Sequence, residues 1–112
     1  MEVLLGEKSN SVSPDFGPEP PGLVFLQNCP NPFSFDTVIS FQLPEQSEVE
    51  LGIYDLRGRR VRTLVSGRLQ GGHHSLCWEG KDSEGHLLAS GIYLCRLKAG
   101  RRVKVQKMLL LR

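Results

Sequence analysis

The sequence predicts an all-β fold, a seven-stranded immunoglobulin-like antiparallel β-sandwich preceded by a disordered or extended N-terminal linker. Two observations predict the sandwich. From Leu23 onward apolar and polar residues alternate, which is the period of a strand with one buried face. Turn residues interrupt this alternation about every ten residues, as they do in β-sandwiches. No segment competes with this pattern by showing the apolar spacing of a helix.

The linker is predicted over residues 1–22, where serine, proline and glycine dominate. Prolines at positions 14, 18, 20 and 21 remove backbone donors, so this segment is unsuited to a helix or a sheet ladder. The predicted organisation is therefore a linker over 1–22 and one domain over 23–112. A linker at this position also predicts that another protein segment normally precedes the domain.

Seven strands are predicted, at residues 23–28, 37–43, 48–54, 60–66, 72–78, 91–98 and 101–111. Pro44 ends the second strand because it has no amide to donate. Turns at residues 55–58 and 98–100 each supply a glycine where a hairpin needs positive φ. The apolar face of these strands predicts the core: Ile39, Phe41, Leu43, Val49, Leu51, Ile53, His74, Leu76, Trp78, Tyr93, Cys95 and Leu97.

The last strand changes parity along its length. Val103 and Val105 share one parity, whereas Met108 and Leu110 share the other. A β-bulge near Gln106 would turn both pairs inward, so a bulge is predicted there.

Length and composition exclude several classes of protein. A chain of 112 residues with 39% hydrophobic residues forms one small domain, which excludes most multi-domain enzymes and large cofactor cavities.

The net charge of +2 conceals an acidic first half and a basic second half. Residues 1–56 hold one base and nine acids, a charge of −8, while residues 57–112 hold thirteen bases and three acids, a charge of +10.

Nucleic-acid and membrane functions are not predicted. The bases alternate with apolar residues as on solvated strand faces, and the arginines at 57, 59, 60 and 62 surround a turn with only Tyr54 nearby. The longest apolar runs, such as residues 108–111, have four residues and are far below the ~18 residues of a membrane helix. The first ten residues also lack the basic and apolar regions of a secretory signal peptide.

Catalysis, metals and cofactors are not predicted either. The three cysteines at 29, 77 and 95 show no C-x-x-C spacing, and one disulfide remains a minor alternative. His73 and His74 are adjacent and face opposite sides of a strand, so one metal ion cannot easily take both. The loop with Glu79, Asp82 and Glu84 lacks the spacing of a calcium loop. The sequence contains no G-x-S-x-G elbow for a nucleophile.

Five blocks carry a family resemblance in sequence order: NCPNPFSFDTVISFQLP (28–44), IYDLRGRRVRTL (53–64), GGHHSLCWEGKDSEG (71–85), SGIYLCRLKAG (90–100) and KMLLLR (107–112). Together they resemble the FlgD-type immunoglobulin-like domain, which overlaps with the type IX secretion C-terminal sorting domains. The resemblance covers residues 23–112. It implies the fold predicted above and a non-catalytic domain at the carboxyl end of a large exported bacterial protein.

The resemblance also implies a function. Type IX secretion machinery would recognise the folded sandwich, and the attached passenger would reach the extracellular side or the cell surface through the periplasm. The partner would be a protein, either this machinery or an assembly partner, with no nucleic acid and no membrane insertion. The alternative is a structural assembly module, hook-cap-like or an accessory subunit of an extracellular or membrane-associated complex.

The residues that match the family's sorting blocks are the predicted recognition residues. Most of them also have a structural explanation, because glycines permit tight turns and a buried tyrosine can bond a backbone oxygen. The charged tip of Lys107 has no such requirement. The predicted set is Pro30, Asn31, Pro32, Phe33, Asp55, Gly58, Gly91, Tyr93, Gly100, Lys107 and Met108.

Overall fold

Within residues 22–112, which the computed structural model describes, seven strands form two antiparallel sheets. The strands are β1 (Val24–Phe25), β2 (Thr37–Leu43), β3 (Ser47–Tyr54), β4 (Arg60–Leu69), β5 (Gly72–Trp78), β6 (Gly91–Ala99) and β7 (Arg102–Leu110). One sheet has the strand order β1-β2-β5 and the other β4-β3-β6-β7. The all-β prediction is confirmed. The linker predicted at 1–22 lies, except for Gly22, outside the described residues.

The core lies between the two sheets, where alternate residues of each strand point inward. Ile39 and Phe41 from one sheet, and Leu51, Ile53 and Leu97 from the other, are completely buried. These assignments follow the predicted parity of β2, β3 and β6. At about 1.5–3 kcal/mol for each large apolar side chain, this burial is the main stabilising contribution to the fold.

One part of the predicted core is only partly buried: Leu76 packs against the core but is half-buried, and His74 is half-buried outside the core cluster. β5 is an edge strand of the three-stranded sheet. Its Trp78 end is fully covered, whereas its beginning is only partly covered. The ring of His74 instead stacks on Phe41, with 5.3 Å between the ring centroids.

The predicted bulge near Gln106 is wrong. β7 pairs with β6 without a register shift, so Val103 and Val105 point outward and are 46% and 54% exposed. The inward position at 106 is taken by the glutamine, whose Nε2 donates to the carbonyl oxygen of Phe25 at 3.1 Å. A short β1 leaves this side of the sandwich open, and a polar side chain can close it. The register shifts lie instead between β3 and β4.

The predicted strand ends are mostly confirmed. β2 ends directly before Pro44, and the turns between β3 and β4 and between β6 and β7 contain Gly58 and Gly100 at φ values of +86° and +61°. β1 is shorter than predicted because only two of its residues pair with β2. Beyond it, Cys29 forms an isolated bridge with Val38.

The three cysteines differ in burial. Cys95 is completely buried, and desolvation raises its pKa to about 12, whereas Cys29 and Cys77 are exposed. We expect a maleimide at pH 8 to modify two thiols of the folded protein and the third only in denaturant, because the thiolate is the reacting species. Intact-mass spectrometry over time measures this. Equal rates at all three thiols would contradict the burial of Cys95.

Candidate functional site

Predicted site residues from opposite ends of the sequence meet at one end of the sandwich. The backbone N–H of Phe33 donates to the carbonyl oxygen of Leu109 at 3.0 Å, and the N–H of Leu111 donates back to Phe33 at 2.8 Å. Asn31 Oδ1 accepts the N–H of Leu109 at 3.0 Å. The Asn-Pro-Phe segment therefore pairs in parallel with the end of β7. We call this end of the sandwich, which contains the rings of Phe33, Trp78 and Tyr93, the aromatic end.

Three aromatic rings form a row beneath this contact. Phe33 packs on Trp78 with ring centroids 5.6 Å apart, and Trp78 meets Tyr93 edge-on at 5.7 Å. The indole of Trp78 is completely buried, and its Nε1 donates to the carbonyl oxygen of Lys81 at 3.0 Å. Since each polar atom in the row has a partner, burial of these rings leaves no donor unsatisfied.

Tyr93 has the buried ring and the hydrogen bond to a backbone oxygen that were expected if its role is structural. Its hydroxyl donates to the carbonyl oxygen of Ala89 at 2.7 Å while the ring is buried. Desolvation, with a smaller contribution from the Asp55 carboxylate, raises the pKa of this hydroxyl. The phenol therefore stays protonated and keeps donating its hydrogen bond at neutral pH.

Arg112 joins the β1–β2 and β5–β6 connections at the aromatic end, although it was not among the predicted site residues. Its backbone N–H donates to Ser90 Oγ at 2.7 Å. Its guanidinium donates to three carbonyl oxygens, those of Gly80 at 2.8 Å, Leu88 at 2.8 Å and Ser34 at 3.2 Å. The KMLLLR block contains this arginine, but strand periodicity alone gives no indication that its side chain bonds carbonyl oxygens of two loops, β1–β2 and β5–β6.

The turn between β3 and β4 is organised by Asp55. Its Oδ1 accepts the backbone N–H groups of Arg57 at 2.9 Å and Arg59 at 3.0 Å, and its carboxylate lies 3.3 Å from Arg59 Nε. The hydrogen bond from the backbone N–H of Arg59 is the largest cause that lowers the pKa of Asp55.

Asp82 organises the loop between β5 and β6 in the same way. Its Oδ1 accepts the backbone N–H groups of Glu84 and His86, and the hydrogen bond from His86 is the largest cause that lowers its pKa.

These two carboxylates predict a pH dependence. A carboxylate with a lowered pKa stabilises the fold above its unfolded value of 3.8, and the contribution is lost as the pH falls through the lower folded value. We expect the thermal midpoint to fall below about pH 4. The double variant Asp55→Asn, Asp82→Asn should show a flatter decline between pH 5 and pH 2.5, and an unchanged decline would contradict the assignment.

Two grooves flank the aromatic end and hold most of the remaining predicted residues. A groove of about 310 Å³ is lined by Asn31, Pro32, Lys107 and Met108. A second groove, of about 430 Å³, is lined by residues that include Asp55, Gly91 and Tyr93. Pro30 directly precedes Asn31 in the chain, and Gly58 lies in the same turn as Asp55.

Gly100 is the one predicted site residue at the other end of the sandwich. Its N–H donates to the carbonyl oxygen of Glu48 at the start of β3. The structure therefore gathers the predicted set at the aromatic end except for this glycine, which serves the turn between β6 and β7.

The exposed and buried members of the set differ in what they can do. Pro30, Asn31, Pro32 and Lys107 are exposed, whereas Phe33, Tyr93 and Met108 are buried. Within the part of the chain that the structure describes, Lys107 has no ion-pair partner. Only the exposed members are available to a macromolecular partner of the folded domain.

Ion pairs occupy most of the arginines around the turn between β3 and β4. Arg59 pairs with Asp55, Arg60 with Glu50 at 3.3 Å, and Arg62 with Glu79 at 3.1 Å.

Residues 22–112 contain no cluster of three or more histidine, cysteine or carboxylate side chains that could hold a metal ion. The same residues contain no helix of the length and hydropathy needed to span a bilayer.

Comparison with known proteins places the chain among related domains. The model of the family described as FlgD Ig-like domain matches residues 31–102. The chain is 25% identical to FlgD from P. aeruginosa, with a TM-score of 0.53, over 78% of this chain and 67% of that one. No curated protein matches it.

Two solved structures from Porphyromonas gingivalis share the fold. Dimeric latent PorU matches with a TM-score of 0.60 and 19% identity over 85% of this chain. PorZ, a surface component of the type IX secretion system, matches with a TM-score of 0.55 and 18% identity over 77% of this chain. The match spans only 10% of PorU and 11% of PorZ, so it concerns a small part of each.

Proposed function

Because this chain belongs to the FlgD Ig-like domain family, we propose that residues 23–112 form a non-catalytic sorting and anchoring module of an exported bacterial protein. The module directs its passenger to the cell surface by type IX-like secretion. Its partner is a protein of the secretion machinery, and the preceding residues 1–22 serve as the linker to the passenger.

The contact between the Asn-Pro-Phe segment and β7 is the observation that supports this proposal. Asn31 and Leu109 are 78 residues apart in sequence yet share a hydrogen bond. The first and the last of the five family-like blocks, residues 28–44 and 107–112, contribute to this contact. A receptor that reads both blocks together would accept the folded domain and reject an unfolded chain.

Within this proposal the buried and exposed residues have separate roles. Phe33, Tyr93 and Met108 hold the fold, because each is buried in the core or in the aromatic row. Asn31 and Lys107 line one groove from both blocks and supply the side chains that the receptor contacts. Asp55 and Gly91 line the neighbouring groove, and Gly58 gives the turn between β3 and β4 its positive φ.

A reporter fusion tests the proposal. A reporter with an inner-membrane export signal is fused to the full chain and expressed in a host with type IX secretion. We expect the reporter at the cell surface, and we expect Lys107→Ala to reduce surface display without changing the unfolding midpoint. Lys98→Ala, an exposed lysine on β6 far from the aromatic end, is the matched control. Retention of the unmodified fusion in the periplasm would contradict the sorting role.

The charge distribution favours a second candidate, an assembly module that acts through protein–protein contacts. Residues 22–56 hold five acids and no base, whereas residues 57–112 hold thirteen bases and three acids. Within the fold Glu48, Glu50 and Asp55 already pair with arginines of the second half, so the remaining excess is basic. Contacts between this basic excess and an acidic surface weaken as salt rises. Light scattering of the purified chain tests this candidate, because a monomer at every salt concentration would count against self-assembly.

A further inference from the structure

We propose that the uncovered half of the β7 edge, residues 102–107, binds an extended acidic segment of a partner protein by strand addition. This inference depends on the folded edge and not on the sorting role, since the binding is measurable with the purified chain alone.

The backbone geometry defines the edge. β7 is the last strand of its sheet, and at Leu109 both the N–H and the carbonyl oxygen point away from β6, toward Asn31 and Phe33. Alternate residues of a strand share this direction, and β7 continues without a register shift. The N–H and carbonyl groups of Val103, Val105 and Lys107 therefore face the same way, and nothing else in residues 22–112 pairs with them.

The edge already accepts a strand at one end. Phe33 pairs in parallel with Leu110, and the two hydrogen bonds of this pairing are 2.8 and 3.0 Å long. The other half of β7 has the same regular geometry, with neither a proline nor a bulge to prevent pairing. A second extended segment can therefore continue the line that the Asn-Pro-Phe segment begins.

The charges around this edge specify the chemistry of the partner. Six bases and no acid lie between residues 91 and 110, and none of the six forms an ion pair within residues 22–112. The neighbouring acids on β3 are already occupied, because Glu50 pairs with Arg60 and Glu48 with Arg68, each at 3.3 Å. The exposed Val103 and Val105 add an apolar contact on one face. A strand that alternates acidic and apolar residues complements this surface.

A second copy of the chain fits this edge poorly. Two β7 edges paired about a two-fold axis would bring Arg102, Lys104 and Lys107 of each copy against the same bases of the other. Lysines on exposed edges oppose self-pairing in this way. The same charges attract an acidic strand, so the surface discriminates between the two occupants.

A binding experiment on the full chain tests the inference. The probe is a fluorescent peptide of alternating glutamate and valine, titrated by anisotropy in low salt. Val105→Pro removes an outward N–H that β6 does not use, so the variant keeps the β6–β7 ladder. Val105→Ala is the matched control, since it shortens the side chain but retains the N–H. We expect Val105→Pro to weaken binding about fivefold to tenfold relative to Val105→Ala, as for the loss of one backbone hydrogen bond.

Charge provides the second measurement. A peptide of alternating lysine and valine should not bind, and the double variant Arg102→Glu, Lys104→Glu should weaken binding of the acidic probe. Equal binding of both peptides, equal affinities of the two Val105 variants, or no binding to the unmodified chain would each overturn the proposal. A dimer that Val105→Pro dissociates would assign the edge to a second copy instead. A chain that binds the probe but leaves the reporter in the periplasm would retain this inference and lose the sorting role.

Discussion

Replacement of Phe33 by alanine should lower the free energy of unfolding by about 3–5 kcal/mol, the usual cost of removing a buried aromatic side chain. The ring is 3% exposed and packs on Trp78 at 5.6 Å, so truncation leaves a cavity beside the largest side chain of the core. The same residue pairs with β7 through its backbone. A small domain is stable by only about 5–15 kcal/mol, so this loss is a large part of the total.

Urea unfolding followed by tryptophan fluorescence measures the effect, because Trp78 is the only tryptophan in the chain. Phe35→Ala is the matched control: the same side chain lies two residues away and is 80% exposed. We expect this control to change stability by less than about 0.5 kcal/mol. Similar losses for both variants would contradict the structural role assigned to Phe33.

This expectation affects how secretion experiments are interpreted. Phe33 belongs to a block that resembles a sorting segment, yet its ring is hidden from any receptor of the folded domain. If a Phe33→Ala fusion fails to reach the surface, loss of folding is sufficient to explain the failure. The result would then say nothing about recognition by the receptor. Exposed residues such as Lys107 give the cleaner test of recognition.

Replacement of Gly80 by alanine should cost about 2 kcal/mol, from two separable causes. Gly80 has a φ of +70°, which is unfavourable for any residue with a Cβ. The added Cβ would also lie 2.5 Å from Arg112 Nη2, which must then move. The hydrogen bond from Arg112 to the carbonyl oxygen of Gly80 is weakened or lost as a result.

A double-mutant cycle separates the two causes. Arg112→Ala alone should cost about 1–3 kcal/mol, because it removes charged donors from three carbonyl oxygens. In the Arg112→Ala background, Gly80→Ala should cost only about 1 kcal/mol, the backbone contribution. Gly85→Ala supplies the control, since Gly85 has a φ of +86° with nothing within 4 Å of the added Cβ. Additive losses at positions 80 and 112 would show that the two residues are uncoupled.

The sequence by itself determined the strand pattern. Alternation of apolar residues and the positions of turn residues placed six of the seven strands within a few residues of their observed ends. They also identified the inward residues of β2, β3 and β6. These features are local, because the pleat of one strand sets which residues share a face and a turn depends on neighbouring φ angles.

Only the tertiary structure decided which faces are covered and which distant residues meet. Parity places Val103 with Val105 but does not reveal that an edge strand presents this face to solvent. The length of β1 and the half-burial of His74 likewise depend on how far the opposite sheet extends. The pairing of Asn31 and Phe33 with β7, and the three carbonyl contacts of Arg112, join segments that no short sequence pattern relates. Such contacts depend on how the two sheets are aligned, which is a property of the packed chain and not of any one strand.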